Sequence, residues 1–150
     1  MTPLAAAPAG LPPRRLNLTS VITWLERHEW LATIGFGRDG HAREVFLQGI
    51  KTGTDLDETA ADLCILLSYL LQEGGFDAGA LLRKLATPDE IQRWLNPDAA
   101  VVPIGGPGQY APSLVRQLLV HLLLGERERG ETIAMAYASA DRRKPTGGKT

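Results

Sequence analysis

The chain has 150 residues, 44% hydrophobic and 22% charged, which fits one globular domain with its own core. The formal net charge is -1, but setting aside Arg14, Arg15, Asp141, Arg142, Arg143, Lys144 and Lys149 leaves ten basic and sixteen acidic side chains between residues 16 and 140. An acidic body repels phosphate backbones and argues against direct nucleic-acid binding, and the single cysteine, Cys64, excludes an internal disulfide framework and a multi-cysteine zinc site.

Residues 1–15 carry Pro3, Pro8, Pro12 and Pro13, with their charges after the apolar part, and read as a disordered N-terminal arm. No stretch approaches the ~20 apolar residues a membrane span needs, so a cytoplasmic location without membrane contact is expected. Val21–Leu25 and Trp30–Phe36 are rich in β-branched and aromatic residues, joined by a charged turn at Glu26–Glu29. Trp30, Ala32, Ile34 and Phe36 alternate with Leu31, Thr33 and Gly35, the period of a strand with two distinct faces. Gly37-Arg38-Asp39-Gly40 gives a turn signal, and Arg43–Gln48 reads as a third strand. Two short connections in a row predict an antiparallel meander.

A helix is then expected from Thr54 or Asp55, capped by one of them with Asp57 or Glu58 completing a capping box. Leu56, Ala60, Leu63, Leu67, Leu70 and Leu71 form its apolar stripe. Cys64, Ile65, Leu66 and Tyr69 fill the other faces, so this central helix is expected to be covered on more than one side. Gly74-Gly75 ends it. A second helix is expected over Asp77–Leu85, with Leu81, Leu82 and Leu85 buried, and a short third over Asp89–Leu95. Residues 96–110 are Pro- and Gly-rich and read as an irregular insertion. A last helix from Pro112 buries Leu114, Val115, Leu118, Leu119, Leu122 and Leu123 and frays at Glu126–Gly130, with Ile133–Ala138 as an extension. Residues 139–150 read as a disordered basic tail. The expected fold is α+β: a three-stranded antiparallel β-meander, a long central helix across it, and two or three further helices on one face, forming a single domain over residues 16–138.

Gln48–Asp55 joins the last strand to the central helix and is the most pointed local feature. Free N–H groups at a helix start attract anions, and Lys51, Thr52, Gly53, Thr54 and Asp55 are the candidate ligand or partner contacts. The spacing is not that of a phosphate loop, and Asp55, Asp57 and Glu58 repel a phosphate there, so a structural turn and cap is the stronger reading. Cys64, between Leu63 and Ile65, reads as a small buried hydrophobe, since a reactive thiolate needs exposure and a positive neighbour. His28 and His41 fall in expected turns and His121 in an apolar helix, without metal-ligand spacing. Trp24, Trp30 and Trp94 read as core or partner surface. No catalytic constellation, metal site or cofactor site is expected in this chain.

Glu44-Val-Phe-Leu-Gln-Gly-Ile-Lys-Thr-Gly-Thr-Asp55, followed by Asp62-Leu-Cys-Ile-Leu-Leu-Ser-Tyr-Leu-Leu-Gln72, resembles the TSCPD domain, the small C-terminal domain of cobalamin-dependent ribonucleoside-diphosphate reductases that also occurs free-standing. Thr33–Gly40 is similar to the family's strand and D-G turn, and Ala111-Pro-Ser-Leu114 falls where its name-giving Thr-Ser-Cys-Pro-Asp stretch opens a helix. The likeness covers Ser20–Leu85 and, loosely, Pro112–Leu123. Ala111 stands where the family has cysteine, so no thiol or metal role of that motif carries over. The resemblance implies a non-catalytic binding or regulatory module in deoxynucleotide synthesis, partnered by a reductase subunit or by itself. The residues alone leave open a self-assembling adaptor outside nucleotide reduction and a small nucleotide or anion binder at the 49–55 loop.

Overall fold

The computed structural model of the chain describes residues 16–24, 28–49, 55–96 and 113–143. The expected arm at 1–15, the turn residues 25–27, Lys51, Thr52, Gly53 and Thr54, most of the 96–110 insertion, and 144–150 lie outside these. The fold is α+β. Strands β1 (Asn17–Trp24), β2 (His28–Phe36) and β3 (Ala42–Gly49) form an antiparallel sheet in the order β1-β2-β3. Val21 pairs with Leu31, and Ile34 pairs with Val45, so the register keeps Trp30, Ala32, Ile34, Phe36 and Val45 on one buried face. His28, expected in a turn, opens β2.

The β2–β3 connection is tight. The Gly40 amide donates to the Gly37 carbonyl at 3.0 Å, and the His41 amide donates to Asp39 Oδ1 at 3.0 Å. Gly40 has φ +82°, a left-handed conformation that a side chain disfavours. A Cβ there would also stand 2.2 Å from the Gly130 carbonyl oxygen, so this hairpin and the far end of the chain meet backbone to backbone.

Among the described residues five α-helices follow: α1 (Asp55–Gln72), α2 (Ala78–Leu85), α3 (Pro88–Leu95), α4 (Leu114–Gly125) and α5 (Glu131–Arg143). Local signals start three of them. Asp77 caps α2 by accepting the Ala80 amide at 2.7 Å. Thr87 and Glu90 form a reciprocal capping box on α3, with Pro88 in its first turn. Ser113 caps α4 by accepting the Arg116 amide at 3.2 Å.

The arrangement differs from the sequence expectation in four respects. The most enclosed helix is α4, not α1: Leu118, Leu119, Val120 and Leu122 are all buried, and α4 touches β1, β3, α2 and α3. The apolar girth that α4 and α1 share is therefore covered on α4 alone. Leu85, expected in the core, is 42% exposed at the end of α2.

Fraying at Glu126–Gly130 is also replaced by order. These five residues form a π-helical turn continuous with α4 and α5. The wider turn lets two contacts form together: Gly130 lies against Gly40, and Glu126 Oε1 accepts the Ala42 amide at 2.8 Å. Finally, residues 139–143, assigned to the tail from sequence, are helical. Asp141 pairs with Arg38 of the hairpin turn, and the Tyr137 hydroxyl donates to the Phe36 carbonyl at 3.4 Å, so α5 is held on the sheet through its last turn.

Candidate functional site

The segment that carries the resemblance, β3 and α1, forms one unit, and its polar residues are committed to the edge of the sheet. β3 pairs with β2 on one side and would leave a row of backbone groups open on the other, a liability that edge strands must manage. Helix α1 covers that row. Ser68 Oγ accepts the Val45 amide at 3.0 Å and donates to the Val45 carbonyl at 3.3 Å. Gln72 Nε2 donates to the Arg43 carbonyl at 3.1 Å, and the Leu47 amide faces the Cys64 sulfur. Cys64, Ser68 and Gln72 thus match Leu47, Val45 and Arg43 in antiparallel order. The match works because four helical residues advance ~6 Å and two strand residues advance ~6.6 Å.

At the other end of α1, Asp57 reaches the sheet. Its Oδ1 accepts the Trp30 indole N–H at 3.0 Å. Gly49, which pairs with Trp30, makes room, since a Cβ there would lie 2.7 Å from the same oxygen. Arg43 adds a bond from its guanidinium to the Leu71 carbonyl at 2.9 Å.

The buried face of α1 is consequently rotated from the expected leucine stripe. Ala60, Cys64, Leu67, Ser68 and Leu71 are buried, whereas Leu56, Leu63 and Leu70 are only half-buried. The rotation turns Ile65, Leu66 and Tyr69 outward, at 64%, 62% and 54% exposure. Tyr69 is the i+4 and i+3 neighbour of Ile65 and Leu66 on the helix surface, so the three make one apolar ridge. The sequence reading placed them under cover, and the structure corrects that. Their signal is the apolar surplus of α1, the same feature that motivates the self-assembling-adaptor reading. On the outer face of the sheet Leu31 and Phe46 are also exposed, in diagonal register across β2 and β3.

Acids frame the ridge. Glu58 and Asp62 precede it by two turns and one, Glu73 follows it, and all three are exposed. Helix α1 has Asp55, Asp57 and Glu58 in its first turn and no basic residue in its last. Asp55, the one candidate contact among the described residues, is exposed at the helix start.

Several titratable groups among the described residues are buried. Cys64 is 2% exposed, and burial pushes its thiol up to about 11 against the opposing pull of the Leu47 amide. Burial lowers the pKa of His121 and so favours its neutral form. Burial raises the pKa of Glu126, with Asp77 adding to the effect, while the Ala42 amide and His41, whose Nδ1 is 3.6 Å away, oppose it. Among the described residues no group of three or more His, Cys, Asp or Glu side chains is placed to hold a metal ion. A shallow cleft of about 220 Å³ between the start of β1 and α5 is lined by Leu16, Asn17, Arg129, Thr132, Ile133 and Ala136, without a carboxylate, imidazole or thiol. No helix of the described residues is long and apolar enough to cross a membrane.

No family model, curated protein or solved structure matches the chain.

Proposed function

We propose that the chain is a TSCPD-like, non-catalytic protein-binding module that works beside a cobalamin-dependent ribonucleoside-diphosphate reductase. The observation that carries a binding role is the apolar ridge Ile65–Leu66–Tyr69. A contiguous apolar patch on the outer face of a helix that packs on β3 with its opposite face has no part in holding the fold, and such patches mark interaction surfaces. The resemblance supplies the partner. It rests on the β3–α1 motif, and the structure gives that motif a physical role as a strand edge sealed by a helix. The chain itself is read as contributing no cofactor and no catalytic group.

The anion-binder reading of the 49–55 loop is the weaker one. Asp55 and Glu58 stand exposed at the start of α1 and would repel a phosphate that approached it. The test is to mix the purified full chain with a purified cobalamin-dependent reductase lacking its own terminal domain, and to measure co-elution and reduction rate. Co-elution with an altered rate is expected. No association combined with no effect on rate overturns the proposal.

A further inference from the structure

We propose that the outer face of α1 docks an amphipathic helix of a partner protein, one whose apolar anchors are flanked by lysine and arginine. The inference rests on the chain being a binding module, but not on the partner being a reductase.

Three observations select this occupant. First, shape: Glu58, Asp62, Ile65, Leu66, Tyr69 and Glu73 form a nearly straight exposed track along one helix, about 22 Å long at 1.5 Å per residue. A track of that length and width fits a helix of about four turns, laid alongside with anchors at i, i+3/i+4 and i+7.

Second, charge: α1 carries no basic residue, and among the described residues Glu58, Asp62 and Glu73 have no cationic partner. Glu58 and Asp62 are spaced i, i+4, so they repel each other within the helix. At the C-terminal end the Leu71 carbonyl is taken by the Arg43 guanidinium at 2.9 Å on the strand side, so the negative charge on the outer face there is that of Glu73. Negative potential at both ends of an apolar ridge is complementary to an apolar helix with cationic ends.

Third, area: the three ridge side chains expose on the order of 300 Å² together, against ~800 Å² per partner in a stable dimer. A second copy would bring the same acids to the same ridge without the area to offset their repulsion. An acidic frame likewise disfavours a nucleic acid or an anionic lipid surface.

The test uses the full chain and a labelled peptide of about sixteen residues, with leucines at the anchor positions and lysines at both ends. A second peptide has glutamate in place of every lysine. Binding is followed by fluorescence anisotropy at low and high salt. The lysine peptide is expected to bind at least tenfold tighter than the glutamate peptide, and more weakly as salt rises. The double variant Ile65→Ser/Leu66→Ser should keep the wild-type Tm and lose at least tenfold in affinity. Asp62→Lys/Glu73→Lys should reverse the preference in favour of the glutamate peptide. Equal binding of the two peptides, no binding of either, or indifference to the double variant overturns the inference. So does a concentration-dependent dimer in sedimentation that the double variant abolishes, which would assign the ridge to a second copy. If the chain captures a reductase and the ridge variants capture it equally, the reductase reading stands and this inference falls. If the lysine peptide binds the ridge and no reductase is captured, the reverse holds.

Discussion

Replacing Ser68 by alanine removes one oxygen from the seam between α1 and β3 and tests whether the helix seals the strand. The hydroxyl accepts the Val45 amide at 3.0 Å and donates to the Val45 carbonyl at 3.3 Å, and Val45 is 1% exposed. Without it the amide is left buried and unpaired, a loss of about 1–3 kcal/mol. The second bond is longer, and a carbonyl tolerates under-satisfaction better than an amide, so it adds little. The expected destabilisation of Ser68→Ala is about 2 kcal/mol, or roughly 5–10 °C in Tm for a domain of this size. Urea unfolding followed by circular dichroism gives the first number, and hydrogen exchange at the Val45 amide localises it. Ile65→Ser, on the open side of the same helix, is the control and should stay within about 0.5 kcal/mol of the wild type. If Ser68→Ala matches that control and the Val45 amide exchanges no faster, α1 is held on β3 by apolar packing alone, and the account of the seam is wrong.

Two further predictions follow from buried titratable groups. Burial raises the pKa of Glu126 above its ordinary value of 4.5, so between that value and the raised one the folded state binds more protons than the unfolded state. Stability in that window therefore falls as pH rises. Glu126→Gln keeps an acceptor for the Ala42 amide and should flatten this slope in Tm measurements from about pH 4 to about pH 8, whereas parallel curves for the two proteins would count against it. The Cys64 thiol, pushed up to about 11 from 9.0, should be at least about 100-fold slower to react with iodoacetamide in the folded chain than in urea at pH ~8, as read by mass spectrometry. Comparable labelling rates would mean that the thiol is open and that a chemical role for it must be reconsidered.

Periodicity and punctuation made much of this protein legible from residues alone. The alternation of Trp30, Ala32, Ile34 and Phe36 shows which face of β2 is buried. Asp39-Gly40 marks the hairpin and Asp77 the start of the second helix, while the helices expected from Asp89 and Pro112 open instead behind the caps Thr87 and Ser113. Each of these is a local matter, settled by side chains a few residues apart. The burial of Cys64 was equally readable, because a thiol between leucine and isoleucine with an acidic neighbour has no route to activation. What could not be read was which of two leucine-rich helices would be enclosed. Both α1 and α4 are apolar nearly all round, and their sequences do not say which one the other elements will surround.

That choice belongs to the tertiary structure, and the reason is the backbone of β3. An edge strand needs hydrogen-bond partners, and α1 supplies them through Cys64, Ser68 and Gln72, residues that an apolar-stripe reading counts as filler or as polar interruptions. Meeting that demand turns α1 about its axis and leaves Ile65, Leu66 and Tyr69 facing solvent, while α4 takes the centre. The π-helical turn at Glu126–Gly130 has the same origin, since it answers to Gly40 and Ala42, some ninety residues earlier in the chain. Sequence alone determined most of the elements and the burial of the single thiol. Only the folded chain decided which apolar surface stayed open, because long-range hydrogen bonds to a strand edge, invisible to local periodicity, set the rotation of the helix that bears it.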